Sequence, residues 1–258
     1  MTNNSPLPKS NLYLFDSTFD TIKTIFYPNE SRIISHSHEL SNNRLWTLNW
    51  PLFQYELLDK DFNIIETEKV PEFILPNYGI SWYSDSSFYL LGHKSIQDYD
   101  FNIAFIKQFN PLDTSNYLYK YWRINDTIDY PATWNGIDSN NKDSVFIGAT
   151  VNQYYYDPLY GNHQPSWFVI MQLDSLLNIR WERFYGGDAY YTMTNLIASH
   201  DGGCIVAGTR YDYLNTPEHM LDITILKLDY EGLITTVNED NANKLSEAIL
   251  FPNPGSSQ

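Results

Sequence analysis

One short pattern recurs along this chain at nearly constant spacing, and that recurrence limits the fold more than any single motif does. The run "DGGCIVAG" ends at Gly208, "NKDSVFIG" at Gly148 and "DSSFYLLG" at Gly92, with a weaker copy, "ESRIISHS", ending at Ser37. The steps between them are 55, 56 and 60 residues. Each copy is a polar turn that opens a strand-like apolar stretch. A second element falls between these copies, with Asp229, Asp174, Asp59 and Asp16 in "ILKLDYEGLI", "IMQLDSLLNI", "YELLDKDFNI" and "YLFDSTFDTI". Asp174 and Asp229 are 55 residues apart and Asp59 and Asp174 are 115 apart, two units, with the intervening member drifting near Phe109. Gly232, Asn63 and Asn178 supply residue types that tolerate the left-handed backbone of a tight hairpin.

The paired glycine of "HDGG" has two readings, a phosphate-cradling loop or a hairpin turn. A phosphate loop opens a helix, whereas these glycines open a strand, so the turn reading holds. Each unit reads as strand, tight turn, strand, loop, strand, tight turn, strand. In the best copy these are "WFVIMQLD", "NIRWERFY", "MTNLIASH" and "CIVAGTRY". Four short strands at this period predict an all-β chain of β-propeller-type blades. The expected units span about 12–40, 52–95, 101–152 and 166–212, with a half unit at 221–237. Four units and a half fit a small closed ring or an arc of a larger one. No segment of twelve residues keeps a helical period.

The chain's 258 residues allow a large core, and 21 tyrosines favour strands. A formal charge of −15 repels phosphate backbones, which argues against nucleic acid as partner. The one cysteine, Cys204, sits in an apolar run and reads as a small buried hydrophobe. No run of about 18 apolar residues is present, so no membrane insertion is expected, and "MTNNSPLPKSN" carries no apolar export signal.

The stretch from Ser166 to Ile234 resembles the propeller-like repeats of secreted Bacteroidetes proteins, with a Trp-bearing strand, a "KLD" hairpin, "YGG" at Tyr185–Gly187 and then "DGG". Trp181 and "YGG" occur in this copy alone, and the match fades toward the N-terminus. After a polar linker at 238–248, residues 249–258 carry "FPNP", Phe251, Pro252, Asn253 and Pro254. That motif is similar to the opening of the sorting domain read by the type nine secretion system. Asp-Ser/Thr-aliphatic triplets starting at Asp20, Asp126, Asp143 and Asp174 are similar to the O-glycosylation signal of the same secreted proteins. The resemblance implies an extracellular or cell-surface protein that engages the secretion machinery. With no export signal here, it implies a fragment, residues 1–237 being the repeat domain and most of the sorting domain lying outside.

In such blades the connections sort onto two faces, one of short turns and one of long loops. Function gathers on long loops held by a rigid scaffold. Here those loops are rich in aromatic and acidic residues: Trp134, Tyr155, Tyr160, Tyr190, Tyr191, Tyr211 and Asp188. They form the expected surface for a glycan or a surface protein. The competing reading is that these tyrosines pack between blades. His36 and His38 share one side of a strand without a third ligand nearby, so no metal site is assigned. Asp59 and Asp61 read as turn chemistry. No nucleophile or cofactor motif is evident, so no catalytic residue or cofactor is assigned. The reading is a non-catalytic recognition module; a carbohydrate-active enzyme and a structural spacer are the alternatives.

Overall fold

Runs rich in Ile, Val, Phe and Tyr with polar breaks at every turn build short antiparallel strands in a computed structural model. It describes residues 10–15, 17–27, 33–50, 52–70, 78–97, 100–124, 127–154, 156–215 and 220–235. The linker and the "FPNP" motif lie outside the described residues, as does Tyr155. The first sheet is a hairpin of β1 (Ser10–Phe15) and β2 (Thr21–Tyr27). The second runs in chain order through β3 (Ile33–Leu40), β4 (Arg44–Trp50), β5 (Gln54–Leu58) and β6 (Ile64–Lys69). The third repeats this with β7 (Ile80–Ser84), β8 (Ser87–Gln97), β9 (Asp100–Gln108) and β10 (Tyr117–Trp122).

In the fourth sheet the first strand is broken. Both β11 (Tyr130–Pro131) and β12 (Ile137–Asn141) pair with β13 (Ser144–Val151), followed by β14 (Trp167–Leu173) and β15 (Ile179–Gly186). The fifth holds β16 (Tyr190–Ala198), β17 (Cys204–Tyr211) and β18 (Asp222–Leu228), and a bridge from Leu228 to Ile234 begins a fourth strand. Among the described residues the only helical piece is a 3-10 turn at Gly161–His163. The fold is all-β and of propeller type, four-stranded sheets following one another in chain order.

The hydrogen bonding corrects the phase of the expected units. The unit 166–212 would join β14 and β15 to β16 and β17, but the ladder breaks between β15 and β16. The "DGG" hairpin pairs instead with the "KLD" strand that follows it, through seven partners from Cys204–Leu228 to Arg210–Asp222. Hairpins of equal length carry no local signal for which neighbour they join. The repeat alignment also slips by one residue. Counted from Asp229 and Asp174, Thr224 corresponds to Val169, and their partners are Gly208 and Ala149, not Gly148.

Three apolar clusters fill the gaps between consecutive sheets. Trp46, Leu48, Tyr55 and Leu57 meet Phe88, Leu90, Ala104 and Ile106. Tyr89, Leu91, Ile103 and Phe105 meet Val145, Ile147, Val169 and Met171. Phe146, Phe168 and Ile170 meet Met193, Leu196, Val206 and Cys204. Successive residues of β8 therefore point to different neighbours, which is why "FYLL" is apolar without alternation. Cys204 is a core residue, and burial pushes its thiol up to about 12. His38 stacks on Trp82 of the next sheet, with ring centroids 4.0 Å apart.

The inner edges are stitched by backbone bonds. Gly136 donates to the Tyr78 carbonyl at 2.6 Å, Trp134 to Thr194 at 2.9 Å and Leu196 to Asn135 at 2.7 Å. Outer ties reach from one sheet to the turns of the next: Trp46 Nε1 to the Pro111 carbonyl, Lys107 Nζ to that of Ser175, and Trp181 Nε1 to that of Tyr230.

The aspartate turns are built alike. Asp59, Asp174 and Asp229 each accept backbone N–H groups two and four residues on through Oδ1, at 2.8–2.9 Å. The left-handed residue is Phe62 (φ 63), Leu177 (φ 63) or Gly232 (φ 78), so the Asn assignment is corrected. Asn63 and Asn178 instead donate their side-chain amides back to Asp59 and Asp174. In "DGG" the two glycines do different things. Gly202 supplies φ +88, and a Cβ there would make only an ordinary contact with Tyr230 at 3.6 Å, whereas a Cβ on Gly203 would lie 1.9 Å from the Leu228 carbonyl oxygen. Gly203→Ala must push β17 and β18 apart, with an expected loss of about 2 kcal/mol or more. Gly202→Ala meets only left-handed strain of about 1 kcal/mol. Urea denaturation of the two variants should rank them in that order.

Candidate functional site

The long connections collect around the loop ends of the fourth and fifth sheets, and there they enclose a cavity of roughly 360 Å³. Its walls come from Ile128 ahead of β11, Tyr130 on β11, Thr133 in the strand break, Gln153 and Leu159 in the β13–β14 loop, and Thr192 on β16. A volume of this size suits a single small ligand group.

Each wall is fixed from behind. Asp129 is fully buried and accepts from the Ile124 N–H at 2.6 Å and the Thr127 hydroxyl at 2.8 Å. Burial raises the Asp129 pKa, against the pull of these hydrogen bonds. Tyr130 receives the Tyr78 hydroxyl hydrogen bond at 2.8 Å and packs edge-on against that ring. His93 lies between the same two tyrosines, with centroids 5.3 and 5.1 Å away. The Thr192 hydroxyl donates to the Pro158 carbonyl at 2.7 Å, holding the β13–β14 loop down. The side-chain amide of Gln153 has no hydrogen-bond partner among the described residues, although the residue is only 8% exposed. Its amide atoms are not sealed from solvent, so they open into the cavity as a donor and an acceptor that a polar ligand group can use.

The residues expected from sequence divide into two sets. Tyr190 and Tyr211, expected on the ligand surface, are instead buried packing residues. Tyr190 lies beneath the β13–β14 loop, where its hydroxyl accepts from the Tyr154 N–H at 3.0 Å. Gly161 rides directly on its ring, where any Cβ would collide at 2.1 Å. Tyr211 is the hub of a small aromatic group, meeting Tyr160 at 5.3 Å and Tyr213 at 6.3 Å. Burial of these rings is what sheet-forming tyrosines commonly achieve.

Tyr191 is also largely buried, but its hydroxyl reaches outward. It donates to Asp188 at 2.7 Å and accepts from Arg210 Nε at 3.1 Å, while Arg210 also bonds Asp188 at 3.0 Å. The Tyr191 hydrogen bond first, and Arg210 after it, hold the Asp188 carboxyl below the usual carboxylate range. This closed triad explains "YGG": a Cβ on Gly186 would strike the Tyr191 ring at 2.7 Å, and one on Gly187 the Trp167 indole at 2.3 Å. Trp134 follows the cavity residue Thr133 and is 73% exposed. Gln153, Thr192 and the supporting His93 were missed, because an amide, a hydroxyl and a lone imidazole have no motif until the loops bring them together.

A second cavity, roughly 530 Å³, lies on the short-turn face and is lined by Glu39, Arg44, Asp59 and Lys60. Its acid Asp59 already serves its own turn, which makes this the weaker candidate. No group of three or more potential metal ligands occurs among the described residues.

Burial drives the His93 imidazole down to about 4 from 6.5. Because the folded pKa lies below the unfolded one, the stability His93 confers is complete above pH 6.5 and lost as pH falls toward 4. The loss across that window is on the order of 3 kcal/mol. His93→Gln should flatten this part of the stability–pH curve in chemical denaturation, leaving the carboxylate-driven loss below pH 4 in place.

No protein-family model matches the sequence, and no curated protein matches it. Among solved structures the chain is similar to a protein of unknown function from Bacteroides caccae, with 9% identity, 88% of this chain and 92% of that one covered, and a TM-score of 0.36. It is similar to the NanB sialidase of Streptococcus pneumoniae at 11% identity and a TM-score of 0.44, covering 83% of this chain and 34% of the sialidase. A member of the DUF4221 family from Bacteroides vulgatus gives 10% identity, coverage of 84% and 86%, and a TM-score of 0.33.

Proposed function

We propose that this chain is a non-catalytic binding module whose loop-face cavity takes one unit of a neutral, polyhydroxylated ligand, a glycan. The observation that carries the reading is the Gln153 amide, which opens into the cavity without a hydrogen-bond partner among the described residues. Around it stand the Tyr130, Thr133 and Thr192 side chains against the apolar Ile128 and Leu159. Such a mixture matches a sugar, which offers hydroxyls at its rim and C–H groups on its face. Among the described residues no carboxylate lines the wall, which supports binding rather than glycoside cleavage. Trp134, next to Thr133 and exposed, is suited to stack on a neighbouring sugar ring.

The setting we propose is extracellular, with export through the type nine secretion machinery. The "FPNP" residues and the Asp-Ser/Thr-aliphatic triplets support it. Immunodetection in the medium of wild-type cells but not of secretion-deficient cells would bear this out.

A glycan array followed by titration calorimetry tests the binding role. Gln153→Leu should weaken the best array ligand about tenfold or more, from the loss of a buried hydrogen bond. Tyr160→Ala should lower stability and leave affinity nearly unchanged, since Tyr160 braces Tyr211. An array with no ligand, or a Gln153→Leu chain that binds as well as the parent, would overturn the reading.

A further inference from the structure

Gln153 is presented to the cavity from a backbone tied on both sides. Its own N–H donates to the Ile128 carbonyl at 2.9 Å, and the Tyr154 N–H that follows donates to the Tyr190 hydroxyl at 3.0 Å. Before it, the Asn152 side chain donates to the Pro165 carbonyl at 2.7 Å, and the Asn152 carbonyl accepts from the Gln164 side chain at 2.8 Å. The amides of Asn152 and Gln164 are thus turned into the loop itself, whereas that of Gln153 is turned to the cavity. A group held from a fixed backbone loses little freedom when a ligand arrives. On another wall, carried by β16, the Thr192 hydroxyl directs its hydrogen to the Pro158 carbonyl at 2.7 Å. Its oxygen therefore offers a guest lone pairs only. Ile128, Pro158 and Leu159 supply aliphatic surface beside these two groups.

A donor on one wall, an acceptor on another and aliphatic side chains beside them match a secondary amide that ends in a methyl group. Such a group is planar and trans, so its C=O and N–H point to opposite sides and call for partners on different walls. We infer that the cavity is specific for an acetamido substituent, as carried by 2-acetamido sugars. The Gln153 amide donates to the acetamido carbonyl, the Thr192 oxygen accepts its N–H, and Ile128, Pro158 and Leu159 enclose its methyl. This specificity presupposes that the cavity is a glycan site. Among the described residues no charged side chain lines the cavity, so a free amino sugar or a uronic acid would bring in a charge without a partner. A plain hexose has neither the carbonyl for Gln153 nor a methyl for the aliphatic surface.

The test is an NMR titration of the unmodified chain with N-acetylglucosamine, N-acetylgalactosamine, glucose, galactose and glucosamine. At least one of the two acetamido sugars should bind about tenfold or more tighter than its parent hexose, from one added hydrogen bond and one buried methyl. Glucosamine, which keeps the nitrogen and lacks the acetyl group, should bind no better than glucose. Gln153→Leu should bring the preferred acetamido sugar down to the level of its parent hexose. Gln153→Glu replaces the amide donor with a carboxylate and should turn the preference toward glucosamine, a reversal that a merely structural role for Gln153 does not produce. Sugars that bind the unmodified chain without an acetamido preference would overturn this specificity and leave the glycan reading standing. No binding by any of the five sugars, together with an empty glycan array, would overturn both.

Discussion

A β-sheet that is apolar on both faces can exist in water only between two others, and the rest of this structure follows from that constraint. β8 shows it most plainly, sending Phe88 and Leu90 to one neighbour and Tyr89 and Leu91 to the other. Packing that close leaves no room for side chains everywhere. A Cβ on Gly148 would meet the Met193 sulfur at 2.4 Å, and one on Gly136 the Leu91 side chain at 2.5 Å. These glycines are holes into which the neighbouring sheets' side chains fit, and the backbone bonds among residues 78, 134–136 and 194–196 lock the spacing.

The loop face inherits its geometry from the stack. Because the inner edges of the third, fourth and fifth sheets are bonded together, Tyr130, backed by Tyr78, and Thr192 are held close enough to share one cavity. The break between β11 and β12 is part of the same arrangement. It lets Asn135 bridge to Asn195 and places Thr133 in the wall. The polar groups there are few, and all but the Gln153 amide have evident structural partners in the scaffold. Binding chemistry is thereby concentrated on one side chain and its surroundings.

Much of the architecture was legible in the sequence because it is local. The 55–60-residue period, the hairpin nature of "HDGG" and the division into short turns and long loops all rest on turn chemistry and alternation. Phase and register were not legible. The "DGG" hairpin is as well made for a preceding partner as for a following one, and Gly148 imitates Gly208 while lying one residue away from its true counterpart. The site was half legible. The aromatic richness of the loops was visible, but whether Tyr211 faces ligand or core depends on Tyr160 and Tyr213, which arrive from two separate loops. His93 could not be found at all, since its role is made by Tyr78 and Tyr130 from two different connections.

The grouping of hairpins into sheets underlies everything above, and NMR cross-strand contacts read it directly. The account requires contacts between Val206 and Leu226, facing partners in β17 and β18, and none between paired residues of β15 and β16. A continuous ladder joining β15 to β16, with Val206 and Leu226 apart, would contradict it and dissolve the cavity.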